Sequence, residues 1–140
     1  MRGSWKWYNV GMINEASRTT LFLKYARHFL KYTFVFEAKI CKDKSLPFDL
    51  VVPHQVANLL VAKHGVFNFK IPDSGWTNPF DGLQIVEVPA FIVIFWYQHR
   101  NDKRFTMIDI DVWEEEKKTS TRKSLTYERA TELAFFSGEL

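Results

Sequence analysis

Residues 90–97 read Ala-Phe-Ile-Val-Ile-Phe-Trp-Tyr, and this stretch decides the fold class. Side chains of a β-strand alternate between its two faces, so a strand that is apolar at every position buries both faces. Such a strand lies in the middle of a sheet, with helices packed above and below it. The apolar run from Val88 to Tyr97 has about half the length of a membrane-spanning helix. The sequence therefore predicts an α/β fold with a mixed central sheet flanked by helices.

The segments before this strand alternate between helical and extended patterns. Residues 14–32 predict a helix with Asn14 as N-cap, and residues 33–41, rich in aromatic and β-branched side chains, predict a strand. Pro53 opens a second helix that Gly65 ends, and residues 66–71 predict another strand. The apolar stripe expected to face the core from the first helix comprises Leu21, Phe22, Tyr25, Phe29 and Tyr32.

Further elements surround and follow the central strand. Residues 82–87 predict a strand that is joined to 90–97 by a tight turn near Pro89, which favours a hairpin between them. Residues 105–112 predict a further strand, and residues 124–136 a last helix capped by Thr126. We expect one domain over residues 1–140, in which residues 1–11 are either a native tail or in part not native to the protein, with Met12 as an alternative start.

Composition narrows the class of protein. The 140 residues are 46% hydrophobic and 16% aromatic, which is enough for a packed core. Cys41 is the only cysteine, so an intrachain disulfide and a cysteine-based zinc site are excluded. No basic and apolar leader marks the N-terminus, so we expect a cytoplasmic protein that does not enter a membrane.

The net charge of the protein, +3, is small. Basic residues cluster at Arg100, Lys103 and Arg104 and at Lys117, Lys118, Arg122 and Lys123, as phosphate contacts or as solvated loops.

Glu37 and Lys39 lie two positions apart on the strand predicted at 33–41, so their side chains point to the same face. Phosphodiester hydrolysis needs carboxylates that hold a cation and a positive charge that stabilises the phosphate. A glutamate and a lysine on one strand face can supply both. The same spacing is also common as an ordinary charge pair on solvated strands.

A longer run of sequence gives the pair its context. Phe36-Glu37-Ala38-Lys39, Ser45-Leu46-Pro47-Phe48 and His54-Gln55 together resemble the RecU-like Holliday-junction resolvases of the PD-(D/E)xK nuclease superfamily. In that family a strand with Glu-x-Lys precedes a Ser-Phe-Pro-like segment and a helix that opens with His-Gln. The surroundings of Pro79-Phe80-Asp81 and Lys123-Ser124-Leu125-Thr126 also resemble small phage and archaeal-virus members.

The resemblance implies a restriction-endonuclease-like domain and a role for each matching residue. Glu37 would be a metal ligand, Lys39 the catalytic lysine, and Gln55 a residue that reaches the scissile phosphate or its water. Glu15 would match the acidic residue on the first helix, an added metal contact. Without the resemblance, Glu15 is a first-turn carboxylate that favours the helix dipole, and Gln55 is a solvated side chain.

The family pattern is broken at one position. Its metal-binding aspartate precedes Glu-x-Lys, yet no aspartate lies between Glu15 and Glu37. We therefore expect Asp81, at the entrance to a strand, to complete the metal site in a rearranged strand order, with Asp73 in reserve. Asp81 with Gly82 is equally explained as turn chemistry.

Other residue types offer rival sites. Asp109 and Asp111 share one face of the strand predicted at 105–112. This spacing indicates either a second metal site or simply the solvent-facing side of an amphipathic strand. Trp76 and Trp96 are expected to stack on bases or to pack in the interior. The histidines at 28, 54, 64 and 99 lack the spacing of a metal site or a catalytic triad.

The resemblance thus implies a Mg²⁺-dependent endodeoxyribonuclease, with Mn²⁺ as a substitute and branched DNA, above all Holliday junctions, as substrate. Symmetric cutting of two strands implies a C2 homodimer, with Trp5, Trp7 and Tyr8 at the interface. A virus-encoded member would act in the host cytoplasm. Alternatives are a nuclease for other branched or free-ended DNA, and a non-catalytic nucleic-acid-binding protein of the same fold.

Overall fold

The structure is a computed structural model that describes residues 14–72 and 79–140. Within these ranges the chain is mixed α/β, with four α-helices, a four-stranded sheet and two smaller strand pairs. The helices are α1 (Glu15–Phe29), α2 (Pro53–His64), α3 (Ile110–Thr119) and α4 (Tyr127–Leu133), and a 3-10 turn covers Phe48–Leu50. The strands are β1 (Val35–Cys41), β2 (Ser45–Pro47), β3 (Val66–Lys70), β4 (Gly82–Val86), β5 (Ala90–Trp96), β6 (Arg104–Asp109), β7 (Ser124–Thr126) and β8 (Phe136–Glu139).

Strand β5 holds the central position that its sequence predicts. All seven of its residues are buried, and the sheet order is β1-β5-β6-β8. Its pairing is parallel to β1 and antiparallel to β6, so the sheet is mixed. Strand β1 therefore lies at one end of the sheet order.

Two separate cores cover the two faces of this sheet. On one face Phe22, Ala26 and Leu30 of α1 pack over Phe91, Val93 and Phe95 and their neighbours in β1 and β6. On the other face α2, α3 and α4 cover Ile92, Ile94 and Trp96. In the part of the chain that the structure describes, no helix has the length and apolarity needed to cross a membrane.

Helix α1 begins as predicted, but its buried stripe is rotated. Asn14 Oδ1 accepts a hydrogen bond from Ser17 N at 2.9 Å, which confirms the N-cap. Arg18, Phe22 and Ala26 are the buried positions, whereas Phe29 is 68% exposed. The face of the helix that packs on the sheet is centred on Phe22 and Ala26, because the small side chain of Ala26 allows the helix to approach the strands closely.

The expected hairpin between β4 and β5 is wrong. Strand β4 pairs with β3 in a separate antiparallel ribbon, and β5 pairs with β1 and β6. The chain turns at Glu87, which has a positive φ of 47°. Backbone amides of this turn donate hydrogen bonds to carbonyl oxygens at the C-terminal end of helix α2 and the residue after it. Glu87 N donates to Gly65 O and Val88 N donates to Ala62 O, so the chain leaves the ribbon there. Four of the five residues of strand β4 are exposed, so this strand does not belong to the buried central sheet.

The strand expected at 105–112 ends early, at Asp109. Asp109 Oδ1 accepts a hydrogen bond from Asp111 N at 2.9 Å and caps α3, an unpredicted helix. The helix expected at 124–136 is shorter, although Thr126 does cap it. It is flanked by β7, which pairs with β2, and by β8, which forms the sheet edge.

The pairing of β2 with β7 joins two sequence motifs that are far apart in the chain. Leu46 lies opposite Leu125, and Ser45 opposite Thr126. Phe48 N also donates to Lys123 O at 3.1 Å. The Ser-Leu-Pro-Phe and Lys-Ser-Leu-Thr segments therefore form one short ribbon, which leads the chain from β1 into α2.

A buried ion pair holds the loop between β5 and β6. Asp102 is 1% exposed, and its carboxylate accepts from Arg104 Nε at 2.9 Å and from Gln98 N at 3.1 Å. Burial alone would raise the pKa of Asp102, but these hydrogen bonds and the Arg104 charge hold it at about 2. Arg18 Nη2 donates to Asp102 O at 2.9 Å, so the same loop anchors α1.

Replacing Asp102 with Asn tests this anchor. Because the folded pKa of Asp102 lies below the ordinary value of 3.8, its charge stabilises the fold above pH 3.8, and this is lost as the pH falls toward about 2. We expect Asp102→Asn to lower the free energy of unfolding by about 2 kcal/mol at neutral pH, measured by urea denaturation.

The pH dependence separates charge from packing. The difference between Asp102→Asn and the unmodified protein should shrink as the pH is lowered from 3.8 toward about 2. Asp49→Asn is the matched control, because the Asp49 side chain is 94% exposed and its pair with Lys117 should contribute little. A loss of stability that stays constant with pH would contradict a role for the Asp102 charge.

Candidate active site

Strand β1 presents Glu37 and Lys39 on the face that carries α2. In the β1–β5 register, Glu37 lies opposite Ile92 and Lys39 opposite Ile94. Both isoleucines belong to the core beneath α2, so alternation along the strand directs the two charged side chains to that side. The predicted shared face is therefore present, at an end of the sheet order where side chains can reach solvent.

Helix α2 brings Gln55 to Glu37. Pro53 occupies the first turn of the helix, which it suits because no intrahelical donor is needed there. Gln55 Oε1 accepts from Val52 N at 3.2 Å, and Gln55 Nε2 donates to Glu37 Oε1 at 2.6 Å. The two bonds fix both ends of the amide. Gln55 thus ties the start of the helix to the carboxylate instead of being a solvated side chain.

Lys39 contacts the same carboxylate oxygen. Its Nζ lies 3.2 Å from Glu37 Oε1, and the side chains of Lys39 and Glu37 are 15% and 26% exposed. Glu37 Oε1 therefore receives both a cationic and a neutral donor. Among the described residues no hydrogen bond or ion pair engages Glu37 Oε2, so that oxygen is available to another ligand.

Glu15, in the first turn of α1, belongs to the same electrostatic group. Burial raises the pKa of Glu15, the Lys39 charge lowers it, and the Glu37 charge raises it. Charges interact over several ångströms even in salt solution, so Glu15 lies within electrostatic range of Glu37 and Lys39. Direct contacts thus join three of the five predicted site residues, Glu37, Lys39 and Gln55, and Glu15 interacts with them electrostatically; we call these four residues the cluster.

An open cleft of ≈ 300 Å³ adjoins Glu37. It lies between β1, α2 and the β3–β4 ribbon, and its lining includes His54, Asn58 and Phe67. The sequence singled out neither Asn58 nor Phe67. Asn58 could have been found, because it follows His54 by four positions and therefore shares its helix face. Phe67 could not, since its place depends on how the ribbon folds back over α2.

Asp81 lies at the other end of the ribbon. Its backbone oxygen accepts from Ile71 N at 2.9 Å, next to the Lys70–Gly82 pair. The cleft is lined by Ile85, which is about 13 Å farther along the strand at the usual rise per residue. The contacts that gather the four clustered residues do not include Asp81. Asp73, Trp76 and the N-terminal aromatics Trp5, Trp7 and Tyr8 lie outside the described residues, as do residues 1–11.

The carboxylate oxygens of Glu15 and Glu37 are the type of ligand that a hard divalent cation prefers. Mg²⁺ binds oxygen ligands, often one or two carboxylates together with water and substrate phosphate. Glu37 and Glu15 are carboxylates of this kind, and Glu37 keeps one oxygen available. Over residues 14–72 and 79–140, no three His, Cys, Asp or Glu side chains are grouped closely enough to hold a metal ion. The residues therefore fit Mg²⁺ as a partial set that substrate oxygens and water would complete.

Asp109 and Asp111 do not share a strand face, because the helix α3 begins between them. Both carboxylates bind Lys63 of α2, with Nζ 2.7 Å from Asp109 Oδ1, and His64 Nε2 lies 2.9 Å from Asp111 Oδ2. Burial alone would lower the pKa of Lys63, but its bonds to the two aspartates raise it. A lysine ammonium thus already occupies the space between these carboxylates and offsets part of their charge, and the contacts join α2 to α3.

Two further predictions concern aromatic and basic side chains. Trp96 is fully buried and donates from Nε1 to Thr106 Oγ1 at 3.1 Å, so it packs in the interior and cannot stack on a base. Arg104 is held by Asp102 and lies 4.0 Å from the centre of the Tyr127 ring. Lys118, Arg122 and Lys123 are exposed and remain able to contact phosphate.

No family model matches the chain, and no curated protein or solved structure shows significant similarity to it.

Removing the Lys39 charge and removing the Glu37 charge should shift the pKa of Glu15 in opposite directions. Lys39→Met removes the charge that lowers the pKa of Glu15, so this pKa should rise. Glu37→Gln removes the charge that raises it, so the pKa should fall. Carbon-13 NMR titration of the Glu15 carboxyl carbon in metal-free buffer would measure both shifts.

Lys24→Met is the control for these titrations, because Lys24 is exposed on α1 and is not among the causes of the Glu15 shift. It should leave the pKa of Glu15 unchanged. Shifts of the same sign in Lys39→Met and Glu37→Gln would contradict a cluster of Glu15, Glu37 and Lys39.

Proposed function

We propose that this protein is a metal-dependent endonuclease that hydrolyses phosphodiester bonds in branched DNA, with four-way junctions as its preferred substrate. The observation that carries the proposal is the placement of Glu37 between Lys39 and Gln55. Nζ and Nε2 of these residues approach one carboxylate oxygen from two different elements. An ordinary surface charge pair would not require a helix N-terminus to contact the same oxygen.

Each clustered residue has a role in this reaction. Glu37 and Glu15 would hold the cation, which supplies polarisation of the phosphate and a lower pKa for water. Lys39, with only 15% of its side chain exposed, would stabilise the negative charge that develops on the phosphate. Gln55 orients Glu37 and would also contact the attacking water. The metal would be Mg²⁺, with Mn²⁺ as a substitute.

The fold and assembly are part of the same proposal. A mixed sheet in which Glu-x-Lys precedes a helix and a parallel strand is compatible with a restriction-endonuclease-like domain of rearranged strand order. Cutting two strands of a junction symmetrically would require a C2 homodimer. We propose a cytoplasmic location, which is the host cytoplasm if a phage or virus encodes the protein.

A second function is favoured by one observation, the incomplete set of carboxylates. Because the described residues do not group three metal-ligating side chains, a non-catalytic nucleic-acid-binding protein of the same fold would explain the site equally. In that case Lys39 would contact DNA phosphate without chemistry. A nuclease for flaps or free ends is a variant of the first function, and substrate comparison separates it.

Incubation of purified protein with labelled four-way junction, flap and linear duplex tests these functions. We expect cutting of the junction with Mg²⁺ or Mn²⁺ and none with a chelator. Glu37→Gln and Lys39→Met should each lower the cleavage rate by about 100-fold or more, because each removes a charge that acts in the transition state. Gln55→Ala should lower it by about tenfold, because a positioning hydrogen bond is lost.

Two controls match these variants in chemistry. Glu128→Gln and Lys31→Met alter exposed charges outside the cluster and should cut at the unmodified rate. If no substrate is cut with either metal, the protein is not a nuclease, and junction binding that survives Glu37→Gln would then support the non-catalytic function. A monomer in sedimentation at micromolar concentration would argue against junction resolution and for another DNA substrate.

A further inference from the structure

The cleft beside Glu37 has walls of different character. One wall is helix α2, which contributes the polar side chains of His54, Gln55 and Asn58. The opposite wall is the β3–β4 ribbon, which contributes Phe67 and Ile85. The cleft has a volume of ≈ 300 Å³, at the lower end of the range for small-molecule sites. Such sites are typically apolar with a few precisely placed polar groups.

The polar wall carries groups that can read a flat heterocycle. His54 and Asn58 lie one helical turn apart and are both exposed. An asparagine amide offers both a donor and an acceptor, the pattern that pairs with adenine in DNA recognition. Gln55, between them in sequence, is already engaged by Val52 and Glu37. Of the two amides that line the cleft, Asn58 is therefore the one left to recognise a ligand.

The apolar wall differs from the rest of the ribbon. Phe67 lies opposite Ile85 in the register, and both are half-buried where they line the cleft. Phe69 and Leu83, the next pair on the same ribbon face, are 48% and 46% exposed and lie outside the cleft. Phe67 is thus held at the cleft, while Phe69 provides a chemically identical side chain away from it.

We infer that this cleft binds one unpaired nucleobase of the DNA strand whose phosphate lies at Glu37 and Lys39. The inference rests on the proposed function and adds to it a recognition element. Glu37 lines the cleft and also contacts Lys39, the residue proposed to bind phosphate. A base in the cleft and a phosphate at Lys39 would therefore belong to the same nucleotide or to adjacent nucleotides of one strand. Phe67 would stack on the base and Asn58 would hydrogen-bond to its edge.

The substrate chemistry agrees with this occupant. A base within a duplex cannot enter a cleft without being unstacked, and the energetic cost is smallest where the base is already unpaired. Branch points and single-stranded segments supply such bases. Stacking on an aromatic side chain strengthens binding by about tenfold or more per base, which is enough to favour a branch point over continuous duplex.

Binding of a short oligo(dA) strand and of an abasic strand of equal length tests the inference. Both strands have the same phosphates, so their affinity difference isolates the base. The intact protein is used in chelator, which prevents cutting, and fluorescence anisotropy gives the dissociation constants. We expect oligo(dA) to bind about tenfold more tightly than the abasic strand.

Variants locate the base. Phe67→Leu should remove most of that preference, Phe67→Tyr should retain it, and Phe69→Leu should leave it unchanged. Asn58→Ala, a substitution at an exposed position that should not disturb folding, should weaken oligo(dA) binding and leave abasic binding unchanged. Equal losses in Phe67→Leu and Phe69→Leu, or equal affinity for the two strands, would overturn the inference.

The outcome is independent of whether the protein cuts DNA. Junction cleavage together with equal binding of the two strands would keep the nuclease and remove the base site. A base preference that depends on Phe67, in a protein that cuts nothing, would keep the base site and remove the nuclease.

Discussion

The burial of β5 on both faces is the constraint on which the rest of the structure depends. A strand with seven buried residues must be paired on both edges and covered on both sides. Pairing places β1 and β6 beside it, and covering requires α1 on one face and the other three helices on the opposite face. Strand β1 is left as the end strand of that sheet, so it can carry charged side chains that a central strand could not.

Gln55 shows how a local folding requirement and a site can share one side chain. The start of α2 leaves backbone donors without intrahelical partners, and the Gln55 amide oxygen satisfies the Val52 donor. The same amide then presents its nitrogen to Glu37. A capping role and an orienting role are therefore carried by the oxygen and the nitrogen of one amide.

Sequence patterns predicted the elements whose burial is local and periodic. The central strand, the start of α1 and the bounds of α2 follow from apolar runs, Asn14, Pro53 and Gly65, because these signals act within a few residues. The hairpin at Pro89 was wrong, since strand pairing depends on which distant edge is available. Helix α3 was missed because Ile108-Asp-Ile-Asp-Val alternates like a strand, while the cap made by Asp109 is recognisable only from backbone geometry.

The shared face of Glu37 and Lys39 could be predicted because strand spacing fixes it, whereas Glu15 and Gln55 were assigned only through the family resemblance, since they lie on two separate helices. The position of Asp81 could not be predicted, because Asp81 lies at the end of a ribbon whose placement is set by long-range packing. The two-sided tie of α2 also has a mechanical consequence. Lys63 holds the last turn to α3, and Gln55 holds the first turn to β1. The two contacts lie near opposite ends of a helix about 18 Å long, so sliding or axial rotation of α2 would have to break at least one of them.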